Sequence, residues 1–361
     1  MTTPLLENIL NQPVALRAVG AHYAGAGRDS LVRAAALLRS SKRVVLSGMG
    51  ASFFACIPFS YYLSSQDRCA IAVEASELLY FLESQIARDT VVVLVSRSGE
   101  SVEVTKLLPR LKERKATVVG IVNMPESTLS VEANQAIVMG SPPDQLVAIQ
   151  TYTATLATFV LLDAAITGQL DIAVTELEET ADVLSRWIPE CISARKMWSG
   201  FLGNGAPLYL LGRGPASGSV AEGVLLMHEV AKSPAVGMTV AQFRHGPVEV
   251  VDGNFRAVIF GAQSATAALD AALANDLAGM GGQVRWIGPN WIGPDAPGVG
   301  AIPLCPWPPG LPERFMPIAE IVPLQLVAYK RAELLGIRPG DFRWAPAVTT
   351  SEAGFPVREG R

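Results

Sequence analysis

The densest cluster of chemically capable side chains is SRSGES at 96–101, where Ser96, Arg97, Ser98, Gly99 and Ser101 follow the apolar run TVVVLV and precede VEVTKLLPRLKER. A strand that delivers such a loop to a helix start presents unpaired backbone N–H groups and the positive end of the helix dipole, a combination that binds phosphate. The hydroxyls add donors, and Gly99 lets the backbone approach closely. Serine is also a preferred N-cap. The local pattern therefore leaves two readings open, an anion cradle and a plain helix start.

A second glycine-rich turn, GMGASF at 48–53, follows RVVLSG. It matches the opening of a dinucleotide fingerprint with Glu74 downstream, but Phe53 stands where the third glycine belongs. The alternative is that Ser52 lines the same crevice as Ser96, at the carboxyl ends of neighbouring strands. For proton transfer the chain has few candidates. Of three histidines (His22, His228, His245), His245 lies in the polar, Gly-Pro-bounded turn QFRHGPVEVV. An imidazole there can satisfy a turn carbonyl or move protons near neutral pH. Glu222 and Glu229 are seven apart in EGVLLMHE, which puts both on one helix face two turns apart. Carboxylates on so apolar a helix need a reason, and general-base chemistry is one.

The elements that must carry these residues alternate. After a helical segment over about 4–40, strand-length runs RVVLSG, TVVVLVS, ATVVGIVN and AIVMG are interleaved with helix-period segments, a βαβ rhythm that predicts a parallel sheet covered on both faces. Residues 151–167 read as a buried helix and 171–202 as a mixed-charge helical connector. The rhythm then restarts. APLYLLGRGPASGSVAEG at 206–223 echoes KRVVLSGMGASFFACIP at 42–58, RAVIFGAQSATAALDAAL echoes the TVVVLV segment, and QVRWIGPN echoes ATVVGIVN. The second copy offers Gln263, Ser264 and Thr266 without the glycine, so a single anion site in the first copy is expected. The predicted domains are an N-terminal helical segment (1–41), lobe one (42–170, phosphate-binding), a connector (171–203), lobe two (204–338, carboxylates) and a C-terminal tail (339–361) over the active site.

With 361 residues the chain is long enough for two cores, and 29 basic against 33 acidic residues without like-charge runs give no electrostatic case for nucleic acid or a membrane surface. A small ligand is expected. Cys56, Cys69, Cys191 and Cys305 are far apart and lack C-x-x-C spacing, which reads as reduced thiols in a cytoplasmic protein, without a metal site. MTTPLLENILNQP has neither the basic nor the apolar region of a signal peptide, and no apolar run reaches spanning length.

Taken in order, SRSGES, EGVLLMHEVAKSP and RHGPVEVVD on a duplicated α/β chain resemble the double sugar isomerase (SIS) domain family. The pattern is similar to the isomerase half of glucosamine-fructose-6-phosphate aminotransferase and to stand-alone phosphosugar isomerases and deglycases. The resemblance implies two tandem flavodoxin-like, doubly wound SIS lobes that need no cofactor. It places Ser96, Arg97, Ser98 and Ser101 around a sugar phosphate and Ser52 and Val147 at the sugar. Glu229 would be the base moving a proton between C1 and C2, Glu222 a supporting carboxylate and His245 the ring-opening group. That histidine is often given by a partner subunit, which implies a homodimer. No glutaminase domain precedes lobe one, so glutamine hydrolysis is not expected. Arg97 replaces the aminotransferase's glutamine, bringing a full charge and a bidentate fork. WAPAVTTSE puts Pro346 where the aminotransferase has its Schiff-base lysine, so amination by that route is not expected.

Three functions remain distinguishable. An aldose–ketose isomerase, deaminase or deglycase would lose turnover, but not binding, on Glu229→Gln. A sugar-phosphate sensor would bind without chemistry. A nucleotide-dependent oxidoreductase would respond to nicotinamide cofactors in an absorbance titration.

Overall fold

The computed structural model describes residues 3–203, 205–261, 266–289 and 302–354. Helices α1 (Pro4–Ala24) and α2 (Arg28–Ser40) lead into β1 (Arg43–Gly48), α3 (Ala51–Ser64), β2 (Cys69–Glu74) and the single-turn α4 (Ala75–Glu77). There follow β3 (Thr90–Val95), α5 (Val102–Glu113), β4 (Thr117–Val122), α6 (Thr128–Glu132), β5 (Gln135–Val138), α7 (Gln150–Thr167) and the long α8 (Leu170–Ala194). After the short α9 (Ser199–Leu202) come β6 (Leu208–Gly212), α10 (Ala216–Glu229), β7 (Ala235–Thr239), α11 (Val240–Arg244), β8 (Arg256–Phe260), α12 (Ala267–Gly279), β9 (Gln283–Ile287), β10 (Ile302–Pro303) and α13 (Met316–Leu334).

Two compact units result, residues 11–181 with 342–361 (the first lobe) and residues 1–10 with 182–341 (the second), the divisions falling inside α1 and α8. The first lobe holds a five-stranded sheet in the order β2-β1-β3-β4-β5, with every pair parallel. The second holds a five-stranded parallel sheet in the order β10-β9-β8-β6-β7. Counted from the first strand of each lobe, both orders are 2-1-3-4-5, the flavodoxin-like winding. The α/β, doubly wound class expected from the runs is the observed one.

The central strands explain why. Every residue of β3 is buried, as is every residue of β8, so neither strand alternates. A strand covered on both faces has no wet side to give to polar residues. Each Val or Leu so buried favours the fold by about 1.5–3 kcal/mol. Helix α5 buries Val104, Leu107, Leu108 and Leu111 on one stripe against Val92, Leu94 and Val118, forming the core on one face of the first sheet. In the second lobe Phe243, Phe255, Ile259, Leu277 and Trp286 form the corresponding cluster. No helix among the described residues is long and apolar enough to cross a membrane.

Candidate active site

In the first lobe the winding reverses between β1 and β3, and ligands of open α/β sheets bind outside the carboxyl ends of the strands at such a point. Gly48 pairs in register with Val95, and a Cβ on Gly48 would lie 2.8 Å from the Val95 carbonyl oxygen. Only glycine permits that approach, which sets the 49–53 turn and half-buried Ser52 beside the 96–101 loop.

Ser96 is buried, and its N–H extends the sheet by donating to Ile121 O at 3.0 Å. Its hydroxyl lies 3.1 Å from that of Ser101 and accepts the Gly99 N–H at 3.1 Å. Ser101 occupies the N-cap position of α5, yet its side chain makes no capping hydrogen bond. The hydroxyl that a plain helix start would turn onto its own helix is engaged with Ser96 instead. One proton lies between those two oxygens, so the pair keeps a second O–H for another acceptor. Ser98 Oγ accepts the Glu100 N–H at 3.2 Å. Gly99 has φ +69, and a Cβ there would lie 2.0 Å from Ser127 Oγ.

Sequence reasoning passed over Glu100. Its carboxylate accepts from Thr128 N at 2.6 Å and Thr128 Oγ1 at 2.9 Å, tying the loop to the start of α6. A carboxylate facing a distant helix start carries no local signal. Asp144 was passed over too. It accepts the N–H groups of Ile149, Gln150 and Thr151 at the start of α7, and burial raises its carboxyl above the ordinary range while these hydrogen bonds oppose the rise. This cap holds the segment containing buried Val147. Glu74, the residue a dinucleotide reading needs, accepts the Ser76 N–H at 3.2 Å as the cap of α4.

Arg97 reaches two carbonyls, Leu146 O at 3.3 Å and Ala347 O at 3.4 Å, so its fork holds the Val147 segment and the C-terminal tail. The tail also supplies Thr349 O to the Val102 N–H, the first of α5, at 3.1 Å. Further on, Glu352 accepts from Tyr80 OH at 2.5 Å and pairs with Lys106. Ser96, Arg97, Ser98 and Ser101 are thus gathered at one sheet end, with Ser52 and Val147 in adjoining segments and the tail bound to the same loop.

In the second lobe, α10 carries Glu222, buried, and Glu229, half-buried, two turns apart as their spacing requires. Lys232, just past the helix, donates to the carbonyls of Glu229 and Asp341. His245 is the exposed C-cap of α11, followed by Gly246 at φ +123. A third carboxyl also went unpredicted. Glu320 of α13 is buried, accepts from Ser219 Oγ of α10 at 2.9 Å, and is pushed up to about 7 by desolvation. A lone acid within MPIAEIVPLQLVAY was the available signal. Where the second lobe repeats the first lobe's winding reversal, buried Asp270 accepts from Arg213 Nε at 2.7 Å and Thr266 Oγ1 at 3.1 Å. Gln263 and Ser264 lie outside the described residues. Among the described residues no group of three or more His, Cys, Asp or Glu could hold a metal ion.

A protein of Pyrococcus horikoshii named glutamine–fructose-6-phosphate aminotransferase (isomerizing) is 26% identical over 340 residues, covering 93% of this chain and 55% of that protein. The chain spans about half the length of the curated relatives it matches. Among solved structures, the C-terminal domain of glucosamine-fructose-6-phosphate aminotransferase from Francisella tularensis superposes with TM-score 0.78 at 20% identity, covering 93% of this chain and 97% of that one. Tagatose-6-phosphate ketose/aldose isomerase from Escherichia coli gives TM-score 0.78 at 21% identity, covering 94% of each chain. Likeness at these identities establishes the shared fold. Residues 37–168, which contain the first sheet and the serine loop, match the family model described as SIS domain.

Proposed function

We propose that this protein is a phosphosugar isomerase, or an aminosugar-phosphate deaminase or deglycase, that works through an enediol or enolamine with two SIS lobes per chain. The observation that carries the proposal is the Ser96–Ser101 hydroxyl pair at the winding reversal of a SIS domain, withheld from capping α5. Ser96, Ser98 and Ser101 would take the sugar phosphate, Ser52 and Val147 would border the sugar, and Arg97 would act by holding the surrounding segments. Glu229 would remove the proton from C2 of the open-chain aldose and return it to C1, with Glu222 as the supporting carboxylate. His245 would open the ring, giving a proton to the ring oxygen while the anomeric hydroxyl loses one. General acid–base groups of this kind contribute on the order of 10²- to 10⁴-fold each. The exposure of His245 supports a homodimer in which it serves the partner's site. Nitrogen transfer through a tail lysine is not proposed, because Pro346 stands at that place. The same proline favours a second reading, a sugar-phosphate sensor.

The test is deuterium uptake from heavy water into a panel of hexose and aminohexose 6-phosphates, read by mass spectrometry, for the native protein and Glu229→Gln. Uptake at C1 or C2 that the variant loses supports the enzyme. No uptake together with thermal stabilisation by the sugar phosphate supports the sensor. Unchanged uptake in the variant removes Glu229 from the role of base.

A further inference from the structure

Cys191 and Cys305 are distant in sequence and adjacent in the second lobe. Trp187 and Cys191 stand one turn apart on the same face of α8. Trp187 Nε1 donates to Pro306 O at 2.6 Å, and Trp198 Nε1 donates to Leu304 O at 3.0 Å. The carbonyls on both sides of Cys305 are thereby held by indoles. The Trp187 ring also meets Trp307 edge to face, with centroids 6.1 Å apart. Held on both sides by Trp187 and Trp198, Cys305 lies over the turn of α8 that carries Cys191, and both thiols are buried and reduced.

We propose that Cys191 and Cys305 are a reversible redox pair, closed into an intramolecular disulfide by exchange with a low-molecular-weight disulfide. Cys305 is the more accessible, at 9% exposed against 0% for Cys191. Its thiolate attacks one sulfur of the small disulfide, forming a mixed disulfide and releasing one small thiol. Cys191 then gives up its proton and attacks the Cys305 sulfur, releasing the second small thiol. Two protein thiols are oxidised and one small disulfide is reduced. The neighbouring Cys305 thiol and burial push the Cys191 thiol well above its ordinary value, so exchange in the closed protein is slow. Opening is easiest beside β10, a two-residue edge strand that includes Pro303, which has no N–H to give the ladder. The new bond would fasten the chain after this edge strand to α8.

The experiment has two arms, the native protein held in excess oxidised glutathione and the urea-unfolded protein refolded in a glutathione redox buffer. Thiols are then counted by alkylation after denaturation, and peptides are mapped. A Cys191–Cys305 cross-linked peptide in the refolded arm, with Cys56 free and exposed Cys69 either free or carrying glutathione, supports the pair. Cys191→Ser should convert this product to a mixed disulfide at Cys305. Four free thiols in the refolded arm, a native mixed disulfide at Cys305 that Cys191 leaves unresolved, or cross-links through Cys69 or Cys56 would overturn it.

Discussion

Replacing Glu320 by Gln should make the protein more stable in mild alkali while leaving it little changed in acid. Glu320 is buried, and the neutral carboxyl is favoured because no bulk water solvates the charge; Ser219 offsets this only in part. A carboxyl whose folded-state value is about 7, against the ordinary 4.5, binds its proton more tightly folded than unfolded. Its stabilisation is therefore complete below pH 4.5 and is lost as pH rises through 7. At about 1.4 kcal/mol per pH unit, the gap amounts to about 3 kcal/mol. Gln keeps an acceptor for Ser219 and never ionises. The assay is urea unfolding between pH 5 and 8.5, followed through tryptophan fluorescence, to which Trp286, buried in the same lobe, contributes. The variant should match the native protein within about 1 kcal/mol at the acid end and exceed it by up to about 3 kcal/mol at the alkaline end. Parallel stability curves across this range would refute the argument, since they would mean that Glu320 ionises alike in both states.

Gly99→Ala must place a methyl at positive φ against Ser127, and the combined backbone and overpacking cost of about 2–4 kcal/mol should appear in denaturation curves of the first lobe. The phosphate-dependent thermal shift should vanish with it, and an unaltered shift would count against the cradle. Asp144→Ala removes the cap of α7 and should cost about 2 kcal/mol in urea unfolding, with a loss under about 0.5 kcal/mol speaking against that role. The double variant Tyr80→Phe with Glu352→Gln should raise protease cleavage of the tail several-fold while far-ultraviolet circular dichroism stays the same; unchanged cleavage would show that Thr349 and Ala347 alone hold the tail.

The alternation of TVVVLV, ATVVGIVN and their second-lobe echoes determined the parallel doubly wound class, because a strand buried on both faces must be apolar throughout and a short crossover must be helical. The serine loop, the Gly-x-Gly turn and the two-turn spacing of Glu222 and Glu229 were likewise local facts, governed by turn chemistry and helical period. Which partner each side chain finds was not local. Serine suits a cap, and only the turn of residues 96–101 against β3 sends the Ser101 hydroxyl to Ser96. Arg97 reads as an anion ligand from its neighbours, and only the return of the tail adds the two carbonyls that its guanidinium reaches. Glu320 became a group titrating near 7 because α13 packs on α10, and Cys191 met Cys305 because two indoles pin the chain after β10. Period and turn chemistry are written in a few adjacent residues, but desolvation and hydrogen-bond partnership depend on which elements pack together, and that is decided when the whole chain closes.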